Sequence, residues 1–137
     1  MSQVTRVPSR RRLVTSHRDL EVYQAAVDAA MELFEHSRQF PQEERYSLTS
    51  QIRRSSRSVA ANIAEAWRKR RYEAAFISKA SDAEAEAAET QVHIEFAVKC
   101  GYLSRSEGAA AYRRYERLLR TLVGLIHHAD QWTLRRK

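Results

Sequence analysis

Apolar residues recur along most of the chain at steps of three and four, the period of one face of an α-helix. Leu20, Tyr23, Val27, Ala30, Met31 and Phe34 mark a first helix over about 17–38. Ser16-His17-Arg18-Asp19 opens it with the spacing of an N-cap followed by an acidic third residue. Phe40-Pro41 stops it, because proline disfavours helical geometry in the residue before it. A second helix over about 42–69 buries Leu48, Gln51, Ile52, Ser55, Ser56, Val59, Asn62, Ile63 and Ala66, with Arg53, Arg54, Arg57 and Arg68 on the opposite side. Between Trp67 and Glu73 there is neither Gly nor Pro, and charge density alone places a turn near 69–72. The third helix, about 72–99, turns Phe76, Ala80, Ala83, Ala87, Ile94, Ala97 and Val98 inward and ends at Gly101, a left-handed C-cap. Ser104 and Glu107 form a capping-box pattern for a fourth helix over about 105–132, whose stripe is Tyr112, Tyr115, Leu119, Leu122, Ile126 and Ala129.

Helices of this length joined by short connections run antiparallel to their neighbours, so the pattern predicts an all-α, up-down-up-down antiparallel four-helix bundle over 16–132. Charge supports it: the segments carry −4 over 19–40, +7 over 45–71, −4 over 72–101 and +5 over 102–137. Acidic and basic helices alternate, and in such a bundle each acidic helix flanks two basic ones. Exposed pairs of this kind contribute only about 0–1 kcal/mol each, so they select an arrangement more than they stabilise it.

Only three Gly and two Pro in 137 residues argue against a turn-rich β fold. The single Cys100 excludes an internal disulfide and any cysteine-cluster metal site, and suits a reducing compartment, with the cytoplasm as the expected location. No run approaches 18 apolar residues, so neither a spanning helix nor a signal peptide is expected. Residues 1–15 carry Arg6 and Arg10-Arg11-Arg12 without apolar periodicity and read as a flexible basic arm; 133–137 read as a basic tail.

Catalytic chemistry finds no support in the residues. No Glu-x-x-His occurs, which removes the di-iron bundle reading, and Glu89 with His93 one turn on is a surface ion pair before it is a metal pair. Cys100 has no flanking signature of a nucleophile, and the glycines are isolated, so no phosphate loop exists. No enzyme, metal or cofactor is expected.

Two features call for explanation. Gln51, Ser55, Asn62 and Glu65 on the second helix, with Glu86 or Glu89 on the third, put polar groups at or near the core stripes. They either reach solvent at the stripe edge or hydrogen-bond across the bundle or between subunits, since unpaired burial is costly. The other feature is a net charge of +7, carried far more by Arg than by Lys. Arg53, Arg54, Arg57, Arg68 and Arg71, then Arg113, Arg117 and Arg120, are the candidate contacts; guanidinium groups suit bidentate phosphate binding. The charge is either a solvated face or the footprint of a nucleic-acid binder, and no signature of base readout accompanies it, so binding would be backbone-directed and weakly sequence-specific.

The run His17-Arg18-Asp19-Leu20-Glu21-Val22-Tyr23, the segment from Phe40 to Arg54 and Ser58-Val59-Ala60-Ala61-Asn62-Ile63-Ala64-Glu65 resemble the bacterial four-helix-bundle proteins named for the 23S rRNA intervening sequence. Phe76-Ile77, Lys79, Glu86-Ala87, Glu89-Thr90 and Gly101-Tyr102-Leu103 extend the resemblance over about 17–130. It implies an up-down-up-down bundle. It also implies similarity to the accessory subunit of diversity-generating retroelements, and with it a homopentameric ring, nucleic-acid binding and a protein partner such as a reverse transcriptase. The family often has Gly after Asn-Ile-Ala-Glu, where this chain has Ala66. The competing expectation is a protein-interaction scaffold whose charged faces pair subunits, basic helix two meeting acidic helix three of the next copy.

Overall fold

The computed structural model describes residues 14–134, so most of the expected N-terminal arm and Arg135, Arg136 and Lys137 lie outside the described residues. Four long helices, α1 (Glu21–Ser37), α2 (Leu48–Arg68), α3 (Glu73–Lys99) and α4 (Arg105–His127), are followed by a single turn, α5 (Ala129–Trp132); no strand occurs among the described residues. Each helix packs on its sequence neighbour and α4 closes on α1, while the backbones of α2 and α4, and those of α1 and α3, stay apart. The chain is therefore an up-down-up-down bundle with the two basic helices on one diagonal and the two acidic helices on the other. Packing is most extensive between α2 and α3.

The stripes of α2 and α3 follow the sequence closely. Leu48, Ile52, Ser55, Ser56, Val59, Ile63 and Ala66 are buried on α2, and Phe76, Ala80, Ala83, Ala87, Ile94 and Ala97 on α3. The turn between them occupies 69–72, and Ala66, buried at 4% exposure, is accommodated within α2, which runs on to Arg68. On α1 the buried phase differs from the expected one. Val22, Ala26, Ala29, Ala30, Leu33 and Ser37 face the core, Tyr23, Val27 and Phe34 flank it, and Met31 is 51% exposed. Small residues take the centre of the seam because they let neighbouring helices approach, and the larger side chains lie over its edges.

Both ends of α1 and the end of α4 also depart from a continuous reading. Leu20 is extended, so the Ser16–Asp19 capping box closes a separate 3-10 turn (His17–Asp19) before α1 begins. A second such turn, Gln42–Glu44, precedes α2, which starts only at Leu48. The fourth helix breaks at His128 (φ −112°, ψ 35°), and the chain bends so that Ala129 joins Ala66, Phe76 and Ala80 in a second apolar cluster. The Leu134 N–H then donates to the Arg70 carbonyl (2.9 Å), holding the C-terminal segment against the α2–α3 turn.

Two contacts close the opposite end of the bundle. Gly101 adopts φ 82°, and the N–H groups of Tyr102 and Gly101 donate to the carbonyls of Ala97 (2.8 Å) and Val98 (3.0 Å), a Schellman end to α3. Tyr102 then donates its hydroxyl to Glu44 (2.9 Å), tying the α3–α4 connection to the α1–α2 connection. Hydrogen bonds from Ser47, Tyr102 and the Leu48 N–H hold the Glu44 carboxyl below its ordinary 4.5, and its carboxylate in turn pushes the Tyr102 hydroxyl up to about 12. On α4, Gly108 is buried where a Cβ would run into Val98 Cγ2 of α3.

Gly108→Ala should therefore lower stability by about 1–3 kcal/mol in denaturant titration, and Val98→Ala in the same chain should recover most of it. For Glu44 the folded state binds the proton less tightly than the unfolded one, so its contribution is present above pH 4.5 and fades as pH falls through the lowered value. Tyr102→Phe should accordingly flatten the acid side of a melting-temperature profile, because a lowered carboxyl is what steepens it.

Candidate nucleic-acid interface

The basic residues of α2 are set out by helical geometry. Arg53, Arg57 and Arg68 lie within about 60° of one another around the axis, in a row about 22 Å long, with Arg54 beside it. Ser50, Arg53, Arg54, Arg57, Ser58 and Ala61 line a shallow depression on this face. Arg53 is held from below: its Nε donates to Ser37 Oγ (2.7 Å), and Ser37 in turn donates to the Phe34 carbonyl (2.8 Å). Its guanidinium carbon stands 4.7 Å from the Phe34 ring centre, with those of Arg57 at 5.8 Å and Arg38 at 5.9 Å. One half-buried ring of α1 thus organises three cations, by cation–π attraction and by covering their alkyl stems.

The remaining arginines differ in how they are used. Arg38 pairs with Glu35 (3.7 Å), Arg114 with Glu32 across the α1–α4 seam (2.8 Å), and Arg70 lies over the Trp67 ring (3.6 Å) while donating to its carbonyl (2.9 Å). Burial and the nearby Arg68 charge lower the Arg70 guanidinium from its ordinary value. By contrast Arg54, Arg57, Arg68, Arg71, Arg113, Arg117 and Arg120 are exposed and have no carboxylate partner among the described residues. Their donors face water. Arg113, Arg117 and Arg120 form a compact stripe on α4, which the diagonal arrangement puts on the far side of the bundle from α2. The eight candidate residues therefore fall into two separate arrays, Arg53, Arg54, Arg57, Arg68 and Arg71 in one and the α4 stripe in the other.

The polar residues at the core stripes also separate. Gln51 is exposed, Asn62 donates only to the Ser58 carbonyl of its own helix (2.9 Å), and Glu89 contacts His93 one turn on (3.3 Å). Glu65 does cross the seam, meeting Lys79 Nζ at 2.8 Å and holding that amine above its ordinary value. Deep in the core, the hydroxyls of Thr90 and Ser55 share a 2.8 Å hydrogen bond between α3 and α2, and Thr90 Oγ1 also bonds the Glu86 carbonyl (2.8 Å). These two cross-seam contacts define the antiparallel register, which sets Glu86 opposite Ser58 and Gln51 opposite His93. Glu86 Oε1 is buried without a hydrogen-bond partner among the described residues, while the Tyr115 hydroxyl, whose acidity burial suppresses, lies against the Ser56 side chain of α2. Hydrogen bonds do not join Gln51, Asn62, Glu65, Glu86 and Glu89 into one network: the helical phase turns most of them to the rim, and Ser55 and Thr90 make the buried link instead. Ser55 was among the polar residues expected in the stripe, and its partner across the bundle is Thr90.

Residues 18–124 match the family of 23S rRNA-intervening sequence proteins. The chain belongs to that family. It is also similar in structure to a protein of unknown function from the S23 ribosomal protein family of Bacteroides thetaiotaomicron, with 25% identity and a TM-score of 0.71 over 77% of this chain and 95% of the other. No curated protein shows significant similarity to it. The matched span contains all of α1, α2 and α3, and with them the whole α2 arginine row and its Phe34–Ser37 support.

No helix among the described residues is long and apolar enough to cross a membrane, and no group of three or more His, Cys, Asp or Glu there could hold a metal ion. Thr90→Val, which removes one partner and leaves Ser55 buried, should cost about 1–3 kcal/mol by chemical denaturation. Replacing Ser55 by Ala as well should add much less than its single effect.

Proposed function

We propose that this protein binds nucleic acid by its phosphate backbone through the α2 face, without enzymatic chemistry of its own. The observation that carries the reading is the set of free guanidinium donors on that face, anchored by Arg53 on Phe34 and Ser37 and continued by Arg54, Arg57 and Arg68, with Arg71 in the turn that follows. Unpaired, partly preorganised arginines lose little freedom on meeting phosphates, and their planar forks match phosphate oxygens. The row presents guanidinium groups to phosphate, so affinity depends on charge and on the shape of the backbone more than on base identity. The α4 stripe is a second, weaker contact, and the two arrays on opposite sides suit a ligand that meets more than one copy of the protein.

A self-association surface belongs to the same proposal. Between its acidic residues, Asp82 included, and Lys99, the outward side of α3 carries small or apolar side chains: Ala74, Ser78, Ser81, Ala85 and Ala88 are exposed, followed by Val92 at 45% and Phe96 at 56%. A helix apolar on two sides is one that packs on two sides. That supports a homo-oligomer, of which the pentamer implied by the family resemblance is one form, and leaves the α2 arginine face outward. An accessory role beside a protein partner such as a reverse transcriptase would use the same two surfaces.

Fluorescence anisotropy of labelled structured RNA and duplex DNA, at several salt concentrations, tests the α2 assignment. Replacing Arg53, Arg54 and Arg57 together by Ala should weaken binding equally for unrelated sequences and reduce the log–log salt slope by about 2–3. Replacing Arg113, Arg117 and Arg120 should have the smaller effect. Unchanged affinity in the first variant, with its helicity intact, would remove α2 from the site.

A further inference from the structure

Where the N-terminus of α1, the C-terminal halves of α2 and α4 and the start of α3 converge, an apolar pocket opens at the surface. The pocket, of about 310 Å³, lies between the main core and the second apolar cluster, bounded chiefly by Leu20, Ile63, Trp67, Phe76, Leu122 and Trp132. Its volume and its apolar, aromatic lining are those of a small-molecule site. Lining atoms that face the pocket forfeit packing contacts, which an apolar occupant would restore. Here the surrounding frame is fixed independently: the Ser16–Asp19 capping box sets one edge, and the Leu134–Arg70 hydrogen bond sets another.

Two carboxylates, Asp19 and Glu21, are the charged groups of the lining. Asp19 accepts from the N–H groups of Thr15 (2.9 Å) and Ser16 (3.2 Å) and is committed to the cap. Glu21 is exposed and makes no hydrogen bond or ion pair with its side chain among the described residues. Among the described residues no cation lines the pocket: Arg70 is held over Trp67 and on its carbonyl, and Arg114 and Arg117 share with Glu21 a separate groove on the α1–α4 side, where Arg114 pairs with Glu32. We propose that this pocket binds a small hydrophobic amine, its apolar body between Trp67, Phe76 and Trp132 and its ammonium group toward Glu21. The proposal is independent of nucleic-acid binding, because the α2 arginine row takes no part in the pocket.

Trp67 and Trp132 are the two tryptophans of the chain and both line the pocket, so intrinsic fluorescence reports its occupancy. The full-length protein would be titrated with 4-phenylbutylamine, 4-phenylbutanol and 4-phenylbutanoate, which share a body and differ in charge. Saturable binding is expected for the amine, weaker binding for the alcohol, and at least about tenfold weaker binding for the carboxylate, equivalent to one power of ten in the dissociation constant. Glu21→Gln should bring the amine down to the level of the alcohol. Ala80→Phe, which fills the pocket, should abolish the signal, and Ala66→Leu serves the same purpose if that chain does not fold. The triple replacement of Arg53, Arg54 and Arg57 should leave amine binding unchanged. No saturable change with any of the three compounds, equal binding of amine and carboxylate, or undiminished binding in a folded pocket-filling variant would overturn the proposal.

Discussion

The seam between α2 and α3 is the constraint on which the rest of the molecule depends. Ser55, Ser56 and Ala60 on one helix and Ala80, Ala83 and Ala87 on the other are all buried, and side chains this small let the two backbones pack closely. Close approach makes register matter, and the Ser55–Thr90 hydrogen bond with the Glu65–Lys79 ion pair fixes it at two depths, one buried and one at the rim. Once α2 is seated by its small residues, its large cations have nowhere to go but outward. The arginine face is thus a consequence of how the core is packed as well as of how many arginines there are.

The second layer of organisation comes from α1. Its larger apolar residues lie beside the seam instead of in it, and Phe34 in that position becomes the platform for Arg38, Arg53 and Arg57. The same displacement leaves Met31 half in solvent. An acidic helix beside a basic one would be expected to neutralise it, yet only Glu32 of α1 reaches a cation of another helix, and that cation is Arg114 of α4. The α2 row keeps its charge because its nearest neighbours on α1 are an aromatic ring and a serine hydroxyl. That is the physical case for a surface that meets phosphate and not merely water.

The bundle was legible in the sequence because three-and-four spacing, capping boxes and the absence of turn residues all agree. The α2 and α3 stripes and the Gly101 cap are found where periodicity puts them, since each is a local property. The phase of α1 was misread because periodicity weights large apolar residues, whereas Ala26, Ala29 and Ser37 take the centre of the packing. The break at His128 could not be read either. Nothing local marks it, and it is held by a hydrogen bond to Arg70, far away in the chain. Of the site, the arginine residues themselves were legible; their division between opposite sides of the bundle, the support from Phe34 and Ser37, and the pocket between the two tryptophans each depend on contacts between elements.

The central claim is that phosphate meets α2 through the guanidinium groups the fold leaves unpaired. Its most direct measurement is NMR observation of the arginine side-chain N–H signals as a short duplex is added to the folded protein. The account predicts that the Arg53, Arg54, Arg57 and Arg68 signals shift first and together, at the same concentrations for unrelated sequences, while Arg114, paired with Glu32, stays in place. Shifts confined to α4, or none on α2 when the duplex is in excess at low salt, would contradict it.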